Sequence, residues 1–200
     1  MEKFKQTWWD ENLDKQFGSF EIWVGDKTAP SKAYFRNYVK ERGYTSLIDM
    51  GCGNATEYFA YREEYPDLSY IGVDSSEFLY KKNTEAGVPM MWAVAEHVPM
   101  IDGYAEVVFA RHILEHQPDF EPVLSEILRL ASKEAIVVFF IPPLEEKQII
   151  YNPDMNLYHN VYSKGEIEKY LMSRRDVADF SWIPITSTEI ALSVIKKPLD

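Results

Sequence analysis

A single cysteine, Cys52, stands among 200 residues. One thiol cannot form an internal disulfide, so the fold must rest on its core, and the composition suits a reducing compartment. Long apolar runs are missing as well: none approaches the ~18 residues that a membrane-spanning helix requires. The start, Met1-Glu2-Lys3-Phe4-Lys5-Gln6, lacks the apolar core of a signal peptide. These absences lead us to expect a soluble, cytoplasmic protein. Basic charge is also scarce, with 21 Lys and Arg against 32 Asp and Glu, a net charge of −11. A nucleic-acid partner is disfavoured, because neutralising phosphates takes clustered Lys and Arg. No internal repeat or low-complexity stretch interrupts the chain. What it has in quantity is apolar and aromatic residues, 46% and 14%, enough for a packed core in one domain.

The chain is organised around Asp49-Met50-Gly51-Cys52-Gly53-Asn54-Ala55, which follows the apolar run Ser46-Leu47-Ile48. It reads as a buried strand, a glycine turn and a helix opening. Glycine permits positive φ and close approach of backbone to a ligand, and a helix start offers unpaired N–H groups and a positive dipole end. Such a corner suits a nucleoside. From here strand and helix patterns alternate: strands at 46–50, 70–74, 90–95, 106–110 and 135–141, with helices at about 55–64, from Ser75 or Ser76 to Gly87, and at about 120–131. Ser163-Lys164-Gly165-Glu166 is a capping-box pattern that opens a helix to about Met172. Two further strands, 178–185 and 188–195, form a hairpin. Alternation of this kind predicts an α/β fold, a mostly parallel sheet with helices on both faces. Before it, residues 1–44 are rich in aromatics, with a helix from Pro30 that Gly43 stops. The segment 142–162 is long for a connection and is expected to be a lid.

Open α/β sheets bind ligands at the carboxyl ends of their strands. Those ends carry the glycine corner, then Asp74 (25 residues after Asp49), then Ala95-Glu96, then Ala110-Arg111-His112. Ser75, next to Asp74, falls in the same place. An acid ending the second strand can accept both hydroxyls of a ribose. The glycine pattern separates the candidate nucleosides. A dinucleotide fingerprint is G-x-G-x-x-G; here Asp49 precedes the glycines and would repel a pyrophosphate, while it suits the ammonium of an amino-acid moiety.

Asp49-x-Gly51-x-Gly53, Asp74, Glu96-x-Val98-Pro99 and Val107-Val108-Phe109-Ala110-x-x-x-Leu114-Glu115-His116 resemble, in order and spacing, successive motifs of the class I S-adenosylmethionine-dependent methyltransferases, in the small-molecule branch with an L-E-H signature. The resemblance covers about Leu47 to Ile195. It implies a Rossmann-like seven-stranded sheet of order 3-2-1-4-5-7-6 with strand 7 antiparallel; the aromatic segment before it is expected to form an N-terminal helical cap. It also implies S-adenosyl-L-methionine as cofactor and S-adenosyl-L-homocysteine as product. On that basis Gly51 and Gly53 would approach the methionine part, Asp49 its amino group, Asp74 the ribose with Ser75 beside it, Ala95 and Glu96 the adenine, and Ala110 and Arg111 the sulfonium. Two positions depart from the pattern. Val94 stands where the family commonly has an Asp for the adenine amine, and Ala105-Glu106 replaces Phe-Asp before strand four.

Transfer to a hydroxyl benefits from a general base, and histidine is the usual one. His112, two residues past strand four, is the first candidate. His159, in the expected lid, could close over the acceptor, and His116 belongs to the L-E-H signature, where fixing the loop is the plainer role. His97 falls near the adenine edge or solvent. Arg111 would bind an acidic acceptor or pair with Glu115. No compact ligand motif suggests a metal. Trp8, Trp9 and Trp23 either pack a lid against the core or form an acceptor wall, with Asp10, Glu11, Asn12, Glu21 and Asp26 for hydroxyls. The acidic balance then leans toward O-methylation of a small molecule, sugar or glycan, with the chain a domain of a larger glycan-modifying protein. N- or C-methylation, a non-catalytic adenosyl-binding module and a nicotinamide dehydrogenase are the alternatives. Cys52 in the corner is a small packing residue or, less in keeping with the pattern, a reactive thiolate.

Overall fold

The computed structural model describes residues 28–153 and 157–198. The aromatic stretch with Phe4, Trp8, Trp9, Phe17, Phe20 and Trp23, and its acids, lies outside the described residues.

The first described helix, α1 (Pro30–Glu41), has Pro at its first position, where the missing N–H costs nothing. It turns Ser31, Lys32, Phe35, Arg36 and Val39 inward, and Gly43 at φ +68° ends it. Then follow β1 (Ser46–Met50), α2 (Thr56–Glu64), β2 (Ser69–Asp74), α3 (Glu77–Glu85), β3 (Met90–Trp92), β4 (Ala105–Arg111), a one-turn 3-10 helix (Leu114–His116), α4 (Glu121–Leu130) and β5 (Ala131–Phe139). A short hairpin, β6 (Tyr151–Asn152) and β7 (Leu157–Tyr158), precedes α5 (Lys164–Ser173), β8 (Val177–Pro184) and β9 (Ile190–Lys196).

Seven strands form one sheet in the order β3-β2-β1-β4-β5-β9-β8. The first five run parallel, and β9 pairs antiparallel with both β5 and β8. Counted within this sheet, β8 and β9 are its sixth and seventh strands, so the expected order and the antiparallel seventh strand are both present. The apolar runs look continuous in sequence because both faces are covered. Alternate residues sort them: Leu47, Val107, Phe109, Ile136 and Val138 pack under α1 and α2. Ile48, Met50, Val108, Ala110, Ala135, Val137 and Phe139 pack against α4 and α5.

Two strand expectations need correction. β3 is shorter, ending at Trp92, because Val94 and His97 bridge across a tight turn with Ala95-Glu96 at its tip. β5 starts earlier, at Ala131 directly after α4. Ser132-Lys133-Glu134 looks too polar for a buried strand. Glu134, however, is fully buried, and its carboxylate accepts hydrogen bonds from the hydroxyls of Tyr38, Tyr44 and Ser193. Partners from α1, the α1–β1 turn and β9 remove the penalty of burying a charge. The helix after the capping-box pattern begins as expected, with the Ser163 hydroxyl accepting from the Glu166 N–H.

Candidate functional site

The strand order reverses between β1 and β4, and ligand crevices in open α/β sheets form at such a switch point. The glycine corner lies there. Gly51 takes φ +72° and Gly53 φ +54°. The Gly51 and Cys52 N–H groups donate to Val73 O at 2.8 and 3.1 Å, which folds the turn back over β2. A Cβ on Gly51 would sit 2.4 Å from Ile113 Cγ2, so glycine is required here by space as well as by φ. Ala55 follows at φ 49° as the residue that caps α2. It keeps the left-handed conformation despite its Cβ, a strain that tends to collect at functional sites.

Asp74 ends β2 and is half-buried. Its Oδ2 accepts from the Gly53 N–H and its Oδ1 from the Ser76 N–H, both at 2.9 Å. The carboxylate thus ties the corner to the start of α3. A carboxylate in this position is of the kind that can accept the hydroxyls of a diol. Ser76 rather than Ser75 caps α3, and the Ser75 carbonyl instead accepts from Trp92 Nε1. Asp49 lies beneath the corner, 4% exposed, with the Tyr70 hydroxyl donating to Oδ2 at 2.6 Å. Burial pushes its carboxyl up to about 7. Cys52 is buried, and burial together with nearby Asp74 and Asp49 pushes its thiol well up. That is the packing role, and it removes the reactive-thiolate reading. Ala95 and Glu96 sit at the turn after β3, Glu96 exposed. His97 is exposed beside them.

Past β4 the structure gathers residues that are far apart in sequence. Ala110 is fully buried. Arg111 does not pair with Glu115; its Nε donates to Ser31 Oγ at 2.9 Å and its Nη2 to Glu189 Oε1 at 3.0 Å. His112 is held at φ 59°, and its Nε2 lies 2.8 Å from the same Glu189 oxygen. Burial first, then the Arg111 cation, push the His112 imidazolium well below its ordinary range. Glu189 is held below the usual carboxylate range: burial opposes this, but the Ser31 hydroxyl and the Arg111 charge outweigh it. Neither Ser31 nor Glu189 was singled out from sequence. An acid after a strand break and a serine on an amphipathic helix are too common to signal a site.

The L-E-H turn is a tether. Glu115 is fully buried and its Oε1 accepts from the Phe140 and Ile141 N–H groups at 2.6 and 3.3 Å. Burial raises its carboxyl to about 7. The Glu115 carbonyl accepts from Asn160 N–H, and Asn160 in turn bridges Gln117 and Ile150. His116 Nδ1 lies 2.8 Å from the Tyr158 carbonyl, which only accepts, so the neutral ring donates there and offers Nε2 as acceptor. His112, His116 and His159 surround Phe140, their ring centroids 5.1, 5.5 and 6.4 Å from it, and His116 and His159 lie edge-to-face at 5.2 Å. All three candidate histidines therefore share one wall. The segment from Pro142 is not loose: bridges from Leu144 to Ser163 and from Gln148 to Val161 sew it to the core. It leaves Leu144, Ile149, Ile150 and Tyr151 exposed. Among the described residues no group of three or more His, Cys, Asp or Glu could hold a metal ion, and no helix is long and apolar enough to cross a membrane.

A methyltransferase-domain family model matches residues 48–139. This is the stretch from β1 to β5 that carries the glycine corner, Asp74 and the L-E-H turn. A curated relative, trans-aconitate 2-methyltransferase of Deinococcus radiodurans, is 21% identical over 101 residues, 50% of this chain and 39% of the relative. The match thus spans well under half of that protein. Among solved structures, 1,6-didemethyltoxoflavin-N1-methyltransferase of Burkholderia thailandensis, with 1,6-didemethyltoxoflavin and S-adenosylhomocysteine bound, superposes with a TM-score of 0.67 at 14% identity, covering 94% of this chain and 86% of that one. PigF with S-adenosylhomocysteine superposes with a TM-score of 0.68 at 17% identity, covering 96% and 63%. The sheet is that of the Rossmann-like methyltransferase fold. The family match falls on the stretch that carries the glycine corner, Asp74 and the L-E-H turn, so residues 48–139 are similar to a methyltransferase domain.

Proposed function

We propose that this protein binds S-adenosyl-L-methionine in the crevice between β1 and β4 and transfers its methyl group to a small-molecule acceptor. The observation that carries the reading is the glycine corner joined to Asp74: two positive-φ glycines over the carboxyl ends of β1 and β2, with a diol-accepting carboxylate fixed at their edge. Asp74, with Ser75 beside it, takes the ribose, and Ala95 and Glu96 frame the adenine. Gly51 and Gly53 admit the methionine part, with Asp49 below it. Lys32 adds a cation. It is buried, which lowers its pKa, and it pairs with Glu57 at 3.9 Å and donates to Thr56 Oγ1 at 2.7 Å at the start of α2; a ligand carboxylate at that end would be a further partner for it.

When bound, the donor supplies an already activated methyl on sulfur, so the protein's task is mostly alignment and exclusion of water. Ala110 and Arg111 border the sulfur side, and the His112–His116–His159–Phe140 wall faces the acceptor. His112 is a weak base in this setting. That favours an acceptor whose reacting atom already has a usable lone pair at neutral pH, a heteroaromatic nitrogen or a readily ionised oxygen such as a carboxylate, over an aliphatic hydroxyl. The Burkholderia neighbour is named for N1-methylation and the Deinococcus relative for methylation of trans-aconitate; both descriptions agree with such acceptors. O-methylation of a sugar or glycan rested on the acidic balance and the N-terminal tryptophans and keeps only those sequence arguments. The division into a cap at 1–44 and a donor-binding core at 45–200 with a lid at 142–162 belongs to the same proposal.

Titration calorimetry with S-adenosylhomocysteine and with NAD tests the donor. Binding of the first and not the second is expected, and the reverse result overturns the proposal. Methyl-labelled donor offered with heteroaromatic amines, di- and tricarboxylic acids and free sugars then tests the acceptor class. Label entering sugars alone would sink the preference stated here.

A further inference from the structure

Three parts of the chain meet at one carboxylate oxygen. Glu189 Oε1 receives the Ser31 hydroxyl from α1 at 2.8 Å, Arg111 Nη2 from the end of β4 at 3.0 Å, and His112 Nε2 at 2.8 Å. In sequence, His112 and Glu189 are 77 residues apart. Glu189 itself is 8% exposed and its backbone is locked into the β8–β9 turn. Its N–H donates to Thr186 Oγ1, and its carbonyl accepts from the Ile185 and Thr186 N–H groups. The carboxylate is thus placed by its own turn and held by two donors besides the histidine.

His112 is fixed just as firmly. Its N–H donates to Val138 O at 2.9 Å, and it is kept at φ 59°, where a residue with a Cβ is strained. The Phe140 ring meets the imidazole edge-on at 5.1 Å between centroids. A carboxylate can only accept, so the ring nitrogen facing it must carry the proton. The neutral imidazole then has one lone pair left, on Nδ1.

We propose that Glu189 is a positioning residue that holds His112 as its Nε2–H tautomer, so that Nδ1 is the atom His112 presents to the methyl acceptor. This rests on reading the crevice as a methyl-transfer site, and it sharpens the acceptor's chemistry. A lone pair at Nδ1 recognises an N–H or O–H group, so the acceptor carries such a donor at or beside the reacting atom. The arrangement also couples α1 to the histidine, since Ser31 shares the oxygen that orients it.

The test needs no acceptor. Long-range proton–nitrogen correlation spectra of histidine-labelled, ligand-free protein report which ring nitrogen is protonated, with the His112→Gln spectrum giving the assignment. The expected result is a single Nε2–H form for His112. Glu189→Leu should move both His112 ring nitrogens toward a mixture of tautomers, and Glu189→Gln, which keeps an acceptor oxygen, should restore the wild-type pattern. An Nδ1–H form or a tautomer mixture in the wild type overturns the proposal, and so does a His112 signal unmoved in a folded Glu189→Leu variant. If Glu189→Leu does not fold, the wild-type spectrum alone decides. Calorimetry with S-adenosylhomocysteine, run on the same samples, separates the two layers. Absence of binding to the wild type would strike the methyltransferase reading while leaving the tautomer assignment standing.

Discussion

Gly51→Ala offers a direct check on how the corner is built, because two independent penalties meet there. The first is conformational: at φ +72° an L-residue pays about 1–2 kcal/mol that glycine does not. The second is steric. The new Cβ would lie 2.4 Å from Ile113 Cγ2, roughly 1 Å inside the carbon–carbon optimum. Ile113 cannot simply back away, since it follows His112, whose N–H is bonded to Val138 O. Overpacking of this kind costs about 1–3 kcal/mol. Together the terms give about 2–5 kcal/mol, or a fall in Tm of roughly 5–20 °C for a chain of this size.

Ile113→Ala removes Cγ2 and Cδ1 and leaves a Cβ at 3.6 Å, an ordinary contact. The double variant should therefore recover the steric part only, a coupling of about 1–3 kcal/mol between the two sites. Urea unfolding of the four proteins, without ligand and at one pH, measures this cycle. Additivity of the two single changes within about 0.5 kcal/mol, or a Gly51→Ala protein as stable as the wild type, would refute the geometric argument.

Asp49 should trade stability for binding. Burial raises its carboxyl to about 7 against about 3.9 in an unfolded chain, so between those values the native state holds the extra proton and stability falls as pH rises. Asp49→Asn should then exceed the wild type in stability by about 1–4 kcal/mol at pH 8, with the difference gone below about pH 4, while S-adenosylhomocysteine binds less tightly. Denaturant titrations across pH check the first part and calorimetry the second; a variant less stable at pH 8 contradicts the burial argument. Lys32→Met should weaken S-adenosylhomocysteine by about tenfold, the loss of one charge-assisted contact, and leave 5′-methylthioadenosine, which lacks the amino-acid end, nearly unchanged. Equal losses for both would show that Lys32 only supports the fold.

Much of the donor side was legible because it is local. Strand β1 was read with its observed ends, since an apolar run closed by glycines has one reading. Asp74 was found by its place after a strand, and Ser163 by its three-residue spacing to Glu166. The end of β3 and the start of β5 were misplaced because their limits are set by partners elsewhere. A turn bridged by Val94 and His97 cuts one strand short. Hydroxyls from α1, the α1–β1 turn and β9 make Glu134 acceptable in the other. The partner of Arg111 was misjudged for the same reason: Glu115 is near in sequence, but its carboxylate reaches the backbone of Phe140 and Ile141 through Oε1, while Arg111 bonds to Ser31 and Glu189.

The sequence by itself determined the sheet, its order through the resemblance it carries, and the glycine corner proposed to receive the donor. Hydrophobic period, glycine φ and caps act over a few residues and can be read in a line. Only the tertiary structure decided what His112 can do. The tautomer of an imidazole depends on what its second nitrogen touches, and here that is a carboxylate 77 residues away, brought in by the return of β9 beside β5. The acceptor side is assembled from separate loops at the ends of strands, and no spacing in the chain encodes which of their side chains meet.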